Sequence, residues 1–220
     1  MQEFFMDVRE FFPVLLQGVK FTLLVTVGAL VLSTVLGLVW ALMRVSGIKW
    51  LAMIATTIVN IIRGIPILVQ LFYIYFVLPE LGIALSALQA GIIGLGIAYS
   101  AYQSENFRAG IEAIDHGQTE AAQSIGMGWF KTMWRVILPQ AVRVILPPYG
   151  NIMVMLLKDS SQASAITVAE LTLQGQLLAS STFKNMSVFT LVAIFYLCLS
   201  LPLMLVVSRL EKIYSSKKGH

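Results

Sequence analysis

Two long apolar runs of this chain are separated by the amphipathic stretch GQTEAAQSIGMGWFKTMWRVILPQA, residues 117–141. The run before it, residues 85–102, and the run that follows from residue 136 are each long enough to cross a bilayer as a helix. A polar stretch between two such runs lies in water, where a soluble partner can bind it. The order of these three segments predicts a membrane protein with an aqueous docking element.

Composition defines the class of protein. Hydrophobic residues make up 58% of the 220 residues and charged residues 12%, whereas soluble domains have about 25% charged residues. The mean hydropathy is +0.83. These values exclude an ordinary soluble domain and indicate an integral membrane protein with room for about five or six spans of about 20 residues.

Uninterrupted apolar length predicts five spans, at residues 21–43, 52–78, 85–102, 136–157 and 188–207. Because lipid offers no water to backbone groups, these spans are predicted to be helices, and the fold class is an all-α membrane bundle. Small residues in the first span are spaced for close helix approach, namely Gly28, Ala29, Ser33 and Gly37. The second span contains Arg63-Gly64-Ile65-Pro66, and Pro147-Pro148 is predicted to kink the fourth.

The segments outside the spans complete the predicted organisation. Residues 1–20 carry apolar residues at three- and four-residue intervals, which favours a short helix in the outer interface or one packed against the spans. The membrane domain is predicted to cover residues 21–213, with a loop at 103–135, and residues 214–220 to form a flexible cytoplasmic tail.

Basic residues predict the orientation. With the amino terminus outside and the carboxyl terminus in the cytoplasm, nine basic residues lie inside: Arg44, Lys49, Arg108, Lys131, Arg135, Arg209, Lys212, Lys217 and Lys218. Four lie outside: Arg9, Lys20, Lys158 and Lys184. This asymmetry follows the positive-inside rule. It explains the net charge of +4 without nucleic-acid binding, because the basic residues do not form one face.

The loop at residues 103–135 has a helical pattern of its own. Thr119 is expected to cap a helix that continues to Arg135, with an apolar stripe of Ala121, Ala122, Ile125, Trp129, Met133 and Val136. Gly126 and Gly128 make the middle of that helix thin. A short helix of this kind fits a groove on a soluble partner. Packing beneath its own helical bundle is an equally good interpretation of the spacing.

The same loop carries a recognisable motif. Glu120-Ala121-Ala122, then three residues, Gly126, nine residues and Val136-Ile137-Leu138-Pro139 resemble the EAA motif, E-A-A-x3-G-x9-I-x-L-P, of ATP-binding-cassette (ABC) importer permeases. Only Val136 departs, in place of isoleucine. Further strings are similar to the polar amino acid branch of that family: residues 63–66, 138–141 and 157–161, and Pro147-Pro148 with Asn151.

The resemblance implies a permease without an active site of its own. The sequence lacks the G-x-x-x-x-G-K-[ST] phosphate loop, so ATP and Mg²⁺ are expected on a partner ATPase, and the chain itself needs no cofactor. Implied partners are a second permease subunit, identical or paralogous, two cytosolic ABC ATPases, and an extracytoplasmic binding protein that delivers an amino acid. The implied location is the bacterial inner membrane. Implied coupling residues are Glu120, Ala121, Ala122, Gly126, Met127 and Trp129.

Candidate substrate residues lie at the interruptions of two spans. Arg63 is predicted near mid-bilayer beside the helix-loosening Gly64 and Pro66, where its guanidinium can bind a carboxylate. An ion pair from Arg63 to Asp159 or Glu105 is the structural alternative. The other candidates follow the fourth span: Asp159 for an amino group, with Ser160, Ser161 and Gln162. Gln162 replaces a usually apolar residue and favours a polar substrate.

Two other function classes remain open on the residues alone. An ion-coupled secondary amino acid transporter would use Arg63 and Asp159 as coupling groups. A membrane-embedded enzyme would use Asp159 and Glu170, but it needs a paired acid, base or metal constellation. No metal site is predicted, because His116 has no Cys or second His at ligand spacing, and Cys198 is the only cysteine.

Overall fold

The computed structural model describes the backbone of residues 2–215 and the side chains of residues 6–213. Nine α-helices and no strand occur in this range, which confirms the all-helical class. The α-helices are α1 (Gln2–Val45), α2 (Lys49–Gly64), α3 (Ile67–Phe72), α4 (Ala87–Glu112), α5 (His116–Ser124), α6 (Trp129–Thr132), α7 (Leu138–Asp159), α8 (Leu171–Thr182) and α9 (Asn185–Ser215). π-Helical turns cover Tyr73–Val77 and Met133–Ile137, and 3₁₀ turns cover Leu78–Leu81 and Ser160–Ile166.

Three helical segments of the described chain are long and apolar enough to cross a membrane: Met6–Val45, Trp129–Ile166 and Asn185–Ile213. The bent pair Lys49–Gly64 and Ile67–Leu81 makes four if it counts as one span. The predicted third span lies in α4, where glycine, tyrosine, serine and glutamine dilute the apolar residues. The structure therefore supports three or four spans by length and composition and does not reach the predicted five.

The amino-terminal segment is not a separate interfacial helix. α1 runs for 44 residues through residue 20 without a break, although it contains Pro13. The apolar residues of its first half, including Phe11 and Leu15, pack against Leu171 and Val188. Packing against other helices, the second interpretation of this segment, is the one observed, because α8 and α9 bury its apolar face.

The carboxyl-terminal boundary also differs from the prediction. α9 continues to Ser215, so the predicted tail at 214–220 begins inside a helix. Residues 216–220, which include Lys217, Lys218 and His220, lie outside the described residues.

The predicted break in the second span is present. α2 ends at Gly64, α3 begins at Ile67, and the two segments meet at 98°. Pro66 has no N–H, so the carbonyl of Ile62 loses its helical partner. The side-chain Nε2 of Gln70 donates to the carbonyls of Ile62 and Ile65, both at 2.8 Å. One amide thus satisfies two carbonyls that the break sets free.

Close contact between α1 and α4 forms the centre of the bundle. A Cβ on Gly37 would lie 2.6 Å from Cβ of Gln103, and one on Gly28 would lie 3.0 Å from Ile92. A larger residue at Gly37 would force the two helices apart and one at Gly28 would displace Ile92, which agrees with the predicted role of these small residues in close helix approach. At the two prolines predicted to kink the fourth span, Pro147 and Pro148, α7 continues as one helix.

Candidate coupling segment and transport pathway

The coupling segment, residues 115–132, connects α4 to the spanning helix α7. The side chain of Asp115 caps α5 by accepting the N–H of Gly117 at 2.7 Å. α5 ends at Ser124, and α6 begins at Trp129. The prediction of one helix capped by Thr119 and continuing to Arg135 is therefore wrong.

Gly126 ends α5 rather than thinning the middle of a helix. Its φ is +80°, a left-handed conformation that glycine adopts without steric cost. The N–H of Gly126 donates to the carbonyl of Gln123 at 2.9 Å, and that of Met127 donates to Ala122 at 3.0 Å. These two bonds form a Schellman motif, which satisfies carbonyls that the last helical turn leaves free.

α5 has one buried face and one exposed face. Ala122 is buried, whereas Glu120, Ala121 and Ile125 are exposed. The predicted apolar stripe is thus divided, because the turn at Gly126 changes the direction of the chain. The helix packs on the bundle through Ala122 and leaves Glu120 and Ala121 exposed. Packing beneath the bundle is therefore observed for one face of α5, and docking on a soluble partner stays a prediction for the other.

The segment does not pack tightly on the helices next to it. A cavity of about 310 Å³ separates α5 and α6 from the ends of α1 and α4. Its lining includes Val45, Ile111, His116, Thr119, Trp129 and Met133. The cavity is open to the surface, so the coupling segment contacts the bundle over only part of its inner side.

Glu105 on α4 forms ion pairs with three arginines. Its Oε1 accepts Nη1 of Arg44 at 2.8 Å and Nη1 of Arg63 at 3.4 Å, and its Oε2 accepts Nη2 of Arg108 at 2.9 Å. Arg108 also donates to Glu112 at 2.6 Å. Burial alone would raise the pKa of Glu105, but hydrogen bonds from Arg44 and Arg108 outweigh it and lower the pKa.

The structure brings Arg63 to Glu105 and not to Asp159. The Arg63 guanidinium also lies over the ring of Tyr102, 5.9 Å from its centroid. Asp159 instead accepts the hydroxyl of Tyr99 at 2.7 Å through Oδ2, and the rings of Tyr99 and Tyr102 are 5.7 Å apart. Two tyrosines on α4 therefore connect the surroundings of the two charged candidates.

The sequence alone did not identify Tyr99, Tyr102 and Arg44 as neighbours of the charged candidate residues. A signal was present, because Tyr99, Tyr102 and Glu105 follow each other at three-residue spacing on one face of a helix. This face contacts both charged candidate substrate residues. Hydropathy alone identifies Tyr99 and Tyr102 only as the end of an apolar run.

The polar residues after Asp159 differ in accessibility. Ser160 is fully buried, and its hydroxyl donates to the carbonyl of Leu157 at 2.7 Å. Ser161 and Gln162 are half-buried in the 3₁₀ turn. At the other interruption, Gly64 and Pro66 are exposed. Of the serine and glutamine candidates, Ser161 and Gln162 keep accessible side chains.

The acidic pair required for a membrane-embedded enzyme does not form. Glu170 is fully buried, caps α8 by accepting the N–H groups of Thr172 and Leu173, and accepts the hydroxyl of Tyr196 at 2.7 Å. Asp159 bonds to Tyr99 instead. No group of three or more His, Cys, Asp or Glu residues in the described range could hold a metal ion.

A helical membrane bundle with a broken span and a short helix with one exposed face is typical of membrane transport subunits. A family model described as "binding-protein-dependent transport system inner membrane component" matches residues 33–217. The chain belongs to this family. Its members are the transmembrane permease subunits of ABC importers, so the chain is a transport component of the inner membrane and not itself an enzyme.

Individual relatives are similar over nearly the whole chain. The probable glutamine ABC transporter permease protein GlnM of Bacillus subtilis is 41% identical over 201 residues, which cover 91% of this chain and 93% of the relative. The glutamine transport system permease protein GlnP of Escherichia coli K12 is 36% identical, with 91% and 92% covered. The L-cystine transport system permease protein TcyB of Bacillus subtilis is 37% identical, with 85% and 80% covered.

Solved structures agree with these relatives. A crystal structure of an amino acid ABC transporter with histidines aligns with a TM-score of 0.86 and 38% identity, covering 94% of this chain and 97% of the other. The MetNI methionine ABC transporter aligns with a TM-score of 0.78 at 21% identity, which shows a common fold. The predicted resemblance is confirmed. None of these matches supports the ion-coupled secondary transporter.

Proposed function

We propose that this permease carries a polar amino acid across the inner membrane as part of an ABC importer. The observation that carries the coupling role is α5, a capped helix that presents Glu120 and Ala121 to water between α4 and a spanning helix. An amino acid as cargo is supported by relatives named for glutamine and cystine. It is also supported by the 38% identical structure of an amino acid transporter.

The proposed assembly contains five spans per permease, with the amino terminus outside. α4 contains the additional span, predicted at residues 85–102, since its 26 residues extend about 39 Å at 1.5 Å per residue, more than the hydrocarbon core. A second permease subunit, identical or paralogous, completes the pathway. Two cytosolic ABC ATPases hold ATP and Mg²⁺, and an extracytoplasmic binding protein delivers the substrate.

In this assembly the coupling segment transmits ATPase movement to the membrane helices. Ala121 and Gly126 have no large side chain, so an ATPase groove can approach the backbone of α5 closely. Glu120 can pair with a basic residue of the groove. Ala122, Met127 and Trp129 hold α5 in place relative to α6. Because Gly126 terminates α5 sharply, the helix moves as a short rigid lever.

Gly126→Arg tests the coupling role. We expect it to abolish ATP hydrolysis stimulated by substrate-loaded binding protein, since it adds a bulky charge and strains a left-handed residue. Gly47→Arg is a matched control, because Gly47 has a φ of +76° and open space around it but lies between α1 and α2. Stimulated hydrolysis in proteoliposomes is the measurement. Normal coupling in Gly126→Arg would refute the assignment.

For the substrate site, we infer that Asp159 binds the amino group and Arg63 the carboxylate. Only one oxygen of Asp159 bonds to Tyr99, so the other is available. The contact of Arg63 with Glu105, at 3.4 Å, is longer than that of Arg44, at 2.8 Å, and the Arg63 side chain is 45% exposed. Ser161 and Gln162 contribute polar groups to the site, and Ser160 shapes the turn. Gly64 and Pro66 maintain the break in the helix next to Arg63.

Asp159→Asn tests this site. Loss of a charge-assisted hydrogen bond is expected to raise the KM for uptake about 10-fold or more, with ATPase assembly unchanged. Glu80→Gln is the control, because Glu80 is exposed outside the pathway residues. Equal KM values for Asp159→Asn and the wild type, measured as concentration-dependent uptake into proteoliposomes, would remove Asp159 from the site.

A further inference from the structure

Four exposed residues form an aromatic–basic turn just after the coupling helix: Phe130, Lys131, Trp134 and Arg135. Phe130 and Trp134 are 72% and 62% exposed. Their rings are parallel, with centroids 6.5 Å apart. Two large aromatic side chains therefore form one exposed, stacked pair, with a basic residue directly after each of them in the chain.

The two basic residues have no acidic partner in the part of the chain that the structure describes. The ion pairs found there involve other residues, at Glu105, Glu112 and Asp7. Lys131 and Arg135 are four residues apart on helical turns, a spacing at which like charges repel. An anion between them would relieve this repulsion and neutralise both charges.

The position of the turn identifies the anion. The four residues lie in the first two turns of the candidate spanning segment Trp129–Ile166, directly before the predicted span at residues 136–157. Tryptophan at such a position sits at the level of the lipid head groups. Basic residues there are attracted to anionic lipid of the inner leaflet. Stacked rings and paired cations thus match an acyl-glycerol region and a phosphate.

We propose that the aromatic–basic turn binds the head group of an anionic phospholipid and that this contact anchors the base of the coupling helix. The proposal rests on the proposed function, which places this loop in the cytoplasm. α5 ends at Ser124, only a few residues before the turn begins. The lipid therefore holds the fixed end of the lever while Glu120 and Ala121 remain available to the ATPase.

An ATPase groove is a poorer match for this surface. The turn at Gly126 separates it from the exposed face of α5. It also continues directly into a helix that enters the bilayer. Phenylalanine, tryptophan and arginine occur at both kinds of surface, but lysine is depleted in the cores of protein interfaces and attracted to anionic membrane surfaces. ATPase binding through Lys131 and Arg135 is the competing outcome of the test.

The test uses the complete transporter in nanodiscs that contain brominated phosphatidylglycerol or brominated phosphatidylcholine. Bromine quenches nearby tryptophan, and the Trp134→Phe variant identifies the signal of Trp134. We expect phosphatidylglycerol to be preferred about 25-fold, or about 5-fold for each basic residue. Lys131→Gln with Arg135→Gln should abolish this preference. The control Arg9→Gln with Lys20→Gln removes two exposed charges elsewhere and should retain it.

A functional measurement accompanies the binding measurement. Substrate-stimulated ATP hydrolysis should rise with the fraction of phosphatidylglycerol in the wild type and in the control, but not in the Lys131→Gln and Arg135→Gln variant. Equal quenching by both lipids in the wild type, or an unchanged preference in the double variant, would overturn the proposal.

The remaining outcomes separate the two proposals. Loss of ATPase co-purification by the double variant in pure phosphatidylcholine would assign the turn to the ATPase and also overturn lipid binding. Failure of the wild type to bind an ATPase in any lipid would instead reject the proposed function. Quenching of Trp134 would still decide whether the turn selects an anionic lipid.

Discussion

At the scale of single residues, one carboxylate holds three helices together. Glu105 on α4 accepts hydrogen bonds from Arg44 on α1 and Arg63 on α2, as well as from Arg108 on its own helix. The Arg44 side chain is only 13% exposed. Its charge is therefore costly without a partner, because a largely buried cation loses most of its hydration.

Glu105→Gln is expected to lower the free energy of unfolding by about 3 kcal/mol, since it leaves a mostly buried arginine unpaired. Thermal and denaturant unfolding in detergent measure the effect. Glu112→Gln is the matched control. Glu112 also pairs with Arg108 but is 53% exposed, so its removal should cost less than about 1 kcal/mol. Similar losses for the two variants would contradict this account of the cluster.

The same carboxylate predicts a dependence on pH. The pKa of Glu105 is lower in the folded protein than its ordinary value of 4.5. The stabilisation is therefore complete above that value and disappears as the pH falls through the lower, folded-state pKa. Wild-type protein should lose stability on acidification below the ordinary value of 4.5. The Glu105→Gln variant should lack this component in unfolding curves recorded across the same range.

At the scale of elements, the interruption of the second span depends on a side chain as well as on Pro66. The amide of Gln70 reaches back to the carbonyls of Ile62 and Ile65 and closes the 98° break. Without water in the bilayer, such carbonyls need a partner within the protein. The break is thus a built feature of the fold, stabilised by its own polar cap.

Gln70→Leu should destabilise the protein by about 2 kcal/mol, because two carbonyls lose their donor. The measurement is the midpoint of thermal unfolding in detergent or nanodiscs. Gln123→Leu replaces an exposed glutamine on α5 and should leave the midpoint nearly unchanged. If the two variants unfold at the same temperature, water or another group must satisfy the break.

α5 shows how far local patterns predict an element. The Gly126-Met127-Gly128 string contains a helix stop signal, but the apolar spacing across it favoured a continuous helix from Thr119 to Arg135. The stop prevails because Gly126 adopts a φ of +80° and allows two backbone bonds that end the helix. Periodicity alone cannot tell a helix from two short helices whose apolar residues keep the same spacing.

At the scale of the whole molecule, the distribution of charge and the order of the helices predict the topology. Nine basic residues on one side and four on the other favour an external amino terminus. At the end of the bundle that is predicted to lie outside, contacts between distant parts of the chain connect α1 to the start of α9. Asp7 on α1 is buried and bonds to Lys184 and Ser187 at the start of α9.

Single cysteines should reveal five spans and this orientation. In a Cys198→Ala background, Leu81→Cys and Met186→Cys are expected to react with a membrane-impermeant maleimide from outside intact cells. Ile48→Cys and Ile125→Cys should react only after the membrane is opened. All four positions are exposed. Internal labelling of Leu81→Cys and Met186→Cys together with external labelling of Ile125→Cys would show that the broken helix turns back, and four spans would then be the correct number.

The sequence by itself determined the all-helical membrane class, the family through the spacing from Glu120 to Pro139, and the break at Gly64 and Pro66. These properties are encoded locally, in hydropathy, motif spacing and residues that interrupt helices. Only the tertiary structure decided that Arg63 meets Glu105, 42 residues away, and that Asp159 meets Tyr99, 60 residues away. Such pairs depend on how each helix is rotated and aligned against its neighbours, and packing contacts such as that of Gly37 with Gln103 set this arrangement.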